Sequence, residues 1–214
     1  TPSIPQDQID AIGPAVEQRA SSRDGERNEM KMVFISWHII HTQRGVGNYD
    51  DDVAYSAVAW LNEAYAPHNF AFELDTITRT ADDDWFYDWY DVHFQGAQQL
   101  NIDPFHNINV YTTAIANDGV LGFSYLAPSF PAGDYRHSVN MDYRELAYGN
   151  DVMTHEVGHH LGLPHTFSSS CGVDGDGLGD TPRHLDSQLW SCNENLDSCP
   201  NDEGNDPVHN YMTY

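Results

Sequence analysis

Apolar positions along the chain come in two rhythms, and together they predict five strands and two clear helices. Lys31–Ile40 (KMVFISWHII) is β-branched and aromatic enough for a buried strand. Phe70–Thr80 alternates apolar and polar and predicts a second strand, with His106–Thr112 and His137–Tyr143 as two more. Leu121–Leu126 lies between Gly119 and Pro128, the flanks of an edge strand. Helical spacing is clearest in Val53, Ala57, Trp60, Leu61 and Ala64, behind the acidic start Asp50-Asp51-Asp52 and ahead of Pro67. A second helix starts at the capping pair Asn150-Asp151 and runs to about Leu161. Trp85–Leu100 is crowded with aromatic residues and reads as helical in part, and Asp82-Asp83-Asp84 before it as a solvated turn, with a cation site as the alternative. His38 and His41 read as core-edge residues of the first strand rather than ligands. Residues 1–29 form a polar N-terminal extension, with a short helix around Ile9–Ala20 and a propeptide remnant as the rival explanation. After Gly162 the chain is rich in Gly, Asp, Asn and Pro and loses its periodicity.

The last predicted helix carries the chemistry. In His155-Glu156-Val157-Gly158-His159 the two histidines fall one turn apart on one helix face, so both imidazoles reach one metal ion. Glu156 is rotated away from the first coordination shell. Gly162 permits a left-handed helix end, Pro164 discourages resumption of the helix, and His165 returns as a third ligand. Three neutral imidazoles leave a fourth position for water, the arrangement of a catalytic rather than a structural zinc. HExxHxxGxxH followed by a downstream methionine, here Met212 in Asn210-Tyr211-Met212-Thr213-Tyr214, is the metzincin pattern. His160 faces away from that metal and reads as a packing or surface residue.

Composition then removes alternatives. The 214 residues suffice for one catalytic domain with a substantial core. Against 33 acidic residues stand 9 basic ones, a formal charge of −24, which argues against nucleic-acid or anionic-membrane partners. No run of about 18 apolar residues exists to span a bilayer. The start at Thr1 without a signal peptide fits a mature secreted protein. Cys171, Cys192 and Cys199 cluster in a loop-rich segment, which favours a disulfide and leaves one thiol over. There is no Asn-x-Ser/Thr acceptor for N-glycans. The acidic stretch from Asp174 to Asp180 fails as an EF-hand loop, because Leu178 takes its fifth position and Leu185 the place of the closing glutamate.

HEVGHHLGLPHTF, Gly175-Asp176-Gly177-Leu178-Gly179-Asp180-Thr181-Pro182 and Asp206–Tyr214 together resemble the pappalysin-like (cytophagalysin) metzincins, secreted microbial and fungal members above all. Leu61–Pro67 and Ile77–Thr80 extend the likeness upstream, to most of the chain from about Met32. His160 and Pro164 stand where the family usually has aromatic residues. The resemblance implies an α+β fold. Residues 30–162 would form an upper subdomain with a twisted mixed five-stranded sheet and two main helices, and 163–214 an irregular lower one, with the substrate cleft between. It implies a secreted zinc endopeptidase, acting as a monomer on polypeptide substrates. His155, His159 and His165 would hold zinc, Glu156 would activate the zinc-bound water, Tyr214 would assist at the oxyanion, and Met212 would form the floor under the histidines. It also implies calcium at Asp176, the Gly179 carbonyl and Thr181, and a bridge from Cys171 to Cys199. The family's second bridge would join Cys192 to a cysteine beyond the Met-x-Tyr element, which suggests a chain trimmed relative to a longer enzyme. Two other readings keep the same site: a non-catalytic, calcium-stabilised secreted binding module, and a zinc enzyme acting on a non-peptide bond. Retention of Glu156 speaks against the first.

Overall fold

The computed structural model describes residues 29–173, 175–188 and 191–213. These form two compact units, with the chain passing from one to the other at Leu161–Gly162. The expected helix around Ile9–Ala20 lies outside the described residues.

The first unit is built on β1 (Lys31–His41), which pairs in parallel with β2 (Phe70–Ala81) on one side and β3 (Asn107–Thr113) on the other. β5 (Ser138–Asp142) continues the parallel array beyond β3, and β4 (Gly122–Ser124) closes the edge antiparallel to β5. The strand order is therefore β2-β1-β3-β5-β4. Parallel neighbours need crossovers, and the helices that supply them cover both faces. This is why β1 reads as a continuous apolar run: Ile35 through Ile40 are all buried.

One face packs against α1 (Asp51–Tyr65) and α3 (Val152–His160). There Ile35, Trp37 and Ile39 meet Val58 and Leu61 of α1 and Met153 and Val157 of α3. The other face packs against α2 (Asp83–Leu100), where Ile40, Tyr111 and Phe123 meet Phe86 and Trp89. Among the described residues the main helices therefore number three rather than two, because residues 83–100 are helical along their whole length. Phe86 and Trp89 share that helix's buried positions with Gly96 and Ala97, and Trp89 is anchored by an Nε1–H that donates to Asn140 Oδ1 (2.8 Å). Asp82-Asp83-Asp84 is accordingly the start of α2 and not a solvated turn. Asp82 Oδ1 accepts from the Trp85 N–H (2.8 Å), and Asp83 Oδ1 accepts from the Gln43 N–H (2.8 Å). The acidic start of α1 is likewise held, with Asp51 2.6 Å from the Arg79 guanidinium.

α3 is braced by α1 at its N-terminal end. The Tyr65 hydroxyl donates to the Thr154 carbonyl (3.0 Å), and Trp60 Nε1–H donates to Asp151 Oδ1 (3.0 Å). The expected capping pair divides its work. Asn150 Oδ1 accepts from the Val152 N–H (2.9 Å), while the Asp151 carboxylate serves Trp60 and makes no side-chain cap. The helix ends in Gly162 at φ 100°, the left-handed conformation that glycine adopts without strain.

From Gly162 onward the described residues hold one short 3-10 turn and an isolated bridge between Ser168 and Leu185. Cys171 and Cys199 form a disulfide, and Cys192 is an exposed free thiol. Among the described residues only Cys199 and Met212 of this unit belong to the buried apolar core. Among the described residues, no helix is long and apolar enough to cross a membrane.

Candidate metal centre

Seven consecutive residues of α3, Met153 through His159, are buried, which is unusual for a segment holding two histidines and a glutamate. The sequence accomplishes this by aiming Met153 and Val157 into the apolar core while His155, Glu156 and His159 face the opposite way. The rings of His155 and His159 stand edge to face, 4.6 Å apart between centroids at 87°. His165, half-buried, stacks on Phe167 at 4.6 Å. Each of the three histidines offers one nitrogen, and these nitrogens all lie within 4.8 Å of one another. No other group of three or more metal-ligating side chains occurs among the described residues.

Glu156 is 3% exposed, and its Oε2 has no hydrogen-bond partner. A buried carboxylate oxygen without a donor is expensive, by about 1–3 kcal/mol or more for a charged group, and calls for a functional account. Burial pushes the Glu156 carboxyl up to about 8, and the Ser124 backbone N–H works against that rise. A dication on the neighbouring imidazoles would pull the carboxyl back toward ionisation at neutral pH. Three converged imidazoles beside an undersatisfied acid fit a divalent metal of the zinc type in donor chemistry and in number.

The remaining candidates fall into place unevenly. His160 is half-buried and meets His137 edge-on at 6.1 Å; burial lowers its pKa to about 4. His38 and His41 are ordinary structural histidines, the first bonded to Thr78 and Asn109, the second to the Thr42 carbonyl. Met212 is buried, and its carbonyl accepts from the Thr166 N–H (3.1 Å), one residue beyond His165. Tyr214 and Asp174 lie outside the described residues. Asp176 is buried, accepts from the Leu178 N–H (2.9 Å) and is hydrogen-bonded by the Thr181 side chain, while Gly179 is exposed. An open pocket of about 420 Å³ lined by residues 178–183 and 202–204 adjoins that loop and includes none of the three histidines.

Two glycines that sequence reasoning passed over shape the site. A Cβ at Gly175 would fall 2.0 Å from the Thr166 carbonyl oxygen, so the acidic loop presses its backbone onto the residue after His165. A Cβ at Gly122 would fall 2.8 Å from Glu156 Cγ. The signal for the second was present, since a glycine inside a strand pattern marks a close approach.

Comparison with known proteins agrees with this arrangement. Residues 95–214 match the M43 peptidase family described as pregnancy-associated plasma protein-A. An extracellular metalloprotease of Verticillium alfalfae is 33% identical over 195 residues, spanning 85% of this chain and 68% of the relative. One of Neurospora crassa is 31% identical over 194 residues, spanning 85% and 67%. Mature mirolysin of Tannerella forsythia, solved with a cleaved peptide, shares the fold at a TM-score of 0.71 and 20% identity, over 87% of this chain and 84% of that one. Its promirolysin mutant gives 0.72 at 19% identity, over 97% and 84%. The α+β fold is thus of the metzincin type, and the chain is an extracellular member of the M43 metalloprotease family, the pappalysins.

Proposed function

We propose that the chain is a zinc-dependent endopeptidase that hydrolyses peptide bonds of extended polypeptides. One observation carries this reading: the buried, undersatisfied Glu156 carboxylate sits on the helix turn of His155 and His159, whose nitrogens lie within 4.8 Å of each other and of one from His165. His155, His159 and His165 would hold the ion. Zinc bound there supplies Lewis acidity toward a carbonyl and lowers the pKa of water to about 7. Glu156 Oε2 takes the proton of the attacking water and delivers it to the leaving amine nitrogen. Tyr214 is assigned the developing oxyanion by its place two residues after Met212, and Met212 the apolar floor under the histidines. β4 is an edge strand, so a polypeptide adds alongside it through backbone hydrogen bonds. Calcium is proposed at Asp176, the Gly179 carbonyl and Thr181; the burial that raises the Asp176 pKa is relieved by a cation. The enzyme is proposed to act as a monomer.

Metal analysis of the purified chain with a peptide-library digest tests the reading. One zinc per chain, with cleavage abolished by a chelator and restored by zinc, is the expected result. Peptide retention with no cleavage would return the chain to the binding-module class. Cleavage that persists in metal-free protein would overturn the proposal.

A further inference from the structure

Gly122 is a strand residue with no backbone reason to be glycine. It lies in β4, paired with Met141, and its φ is outside the positive range in which glycine relieves strain. Glycine in a strand interior weakens it, since it adds chain entropy to the unfolded state and packs nothing. What it provides is space. A Cβ built at this position lies 2.8 Å from Glu156 Cγ, 2.8 Å from Val152 Cγ1 and 3.2 Å from Glu156 Oε1.

Neither backbone is free to yield. β4 is tied to β5 by its ladder and by Ser124 Oγ, which donates to the Ser138 carbonyl (2.9 Å). α3 is held by the Tyr65 and Trp60 hydrogen bonds at its N-terminal turn. Between the two crowded side chains, Val152 is β-branched and stiff at χ1, whereas Glu156 has three rotatable bonds. Any side chain at 122 therefore displaces Glu156 first.

We infer that Gly122 is a positioning residue for Glu156: its missing side chain lets the acid lie flat against the β4 backbone, and this contact fixes where the carboxylate stands relative to the three histidines. The inference rests on the peptidase reading, in which the Glu156 carboxylate must meet the attacking water. It acts on the base first: none of the three nearest atoms to a Cβ at 122 belongs to His155, His159 or His165.

The test uses the zinc-loaded wild type, Gly122→Ala, Val152→Ala and the double variant G122A/V152A, read by kcat and KM on one peptide, zinc content and melting temperature. A misplacement of about 1 Å costs about 100-fold, so G122A is expected to lose about 10- to 100-fold in kcat with KM within about threefold of wild type. Zinc stays at wild-type stoichiometry. V152A alone is expected to stay within about threefold of wild-type kcat, because it leaves the Glu156 contact untouched. The double variant removes the Val152 clash but keeps the Glu156 one, so its kcat stays low. Recovery of kcat in G122A/V152A would show that the glycine serves α3 packing and would overturn the inference. So would near wild-type kcat in G122A, or a loss of zinc in parallel with activity. If G122A alone does not fold, the less crowded double variant carries the same comparison, and its failure to fold also overturns the idea. Should the wild type bind zinc yet cleave no peptide, the peptidase reading itself fails, a result distinct from all of these.

Discussion

His38 sits in the middle of β1 at 1% exposure with both ring nitrogens engaged, beside Thr78 Oγ1 and Asn109 Oδ1. Asn109 is itself oriented by the Ile102 N–H, which donates to Oδ1 (2.8 Å), so His38 Nε2 is the donor to that oxygen. Burial lowers its pKa from 6.5 to about 4, against the opposing effect of the Asn109 bond. The sign follows: stability from the neutral ring is fully present above about pH 6.5 and is lost as pH falls through about 4. A shift of that size, at about 1.4 kcal/mol per unit, amounts to roughly 3 kcal/mol. His38→Gln is therefore expected to be less stable than wild type at pH 7 but to lose stability less steeply between pH 6.5 and 4. Melting temperatures across that range decide it, and parallel curves would mean another group dominates. Residue identity alone placed His38 at the edge of the core, whereas the ring lies inside it on an interior strand. Residue identity could not give the role of Gly122, whose absent side chain has meaning only once β4 and α3 are side by side.

Among the elements, the strands were legible because each is a short run with its own burial rhythm. α2 was less so. Its core positions are taken by Phe86, Trp89, Gly96 and Ala97, and aromatic density in such a window is as frequent in strands as in helices. Gly96 looks like a breaker, yet its missing side chain gives room to the Trp89 ring, 2.2 Å from where a Cβ would lie. The segment after Gly162 poses the opposite difficulty. Little apolar burial holds its described residues, so the cross-link must offset part of its chain entropy, and the proposed calcium would offset more. A disulfide closing a loop of this size contributes about 2–4 kcal/mol, and calcium, if bound at Asp176 as proposed, would add by mass action. Calcium chelation is expected to open residues 171–199 to limited proteolysis while the five-stranded sheet stays protected. Identical digestion patterns with and without calcium would reduce the acidic loop to a solvated turn.

For the whole molecule, a formal charge of −24 on 214 residues means strong self-repulsion in the folded state. Salt screens it, so the melting temperature is expected to rise between about 0.01 M and 0.15 M sodium chloride, where the Debye length falls from about 30 to 8 Å. A falling temperature would mean that attraction within pairs such as Arg79–Asp51 outweighs the repulsion. The histidine cluster was the most legible feature of the described residues because helix geometry is encoded locally: two histidines one turn apart on α3, then a glycine turn before the third. The most direct measurement is peptide turnover by Glu156→Ala at wild-type zinc content. General acid–base catalysis is worth about 100- to 10,000-fold, and this acid is the one buried, undersatisfied carboxylate on the histidine helix, so turnover is expected to fall by at least that much with zinc retained. Turnover near the wild-type level in that variant would contradict the account.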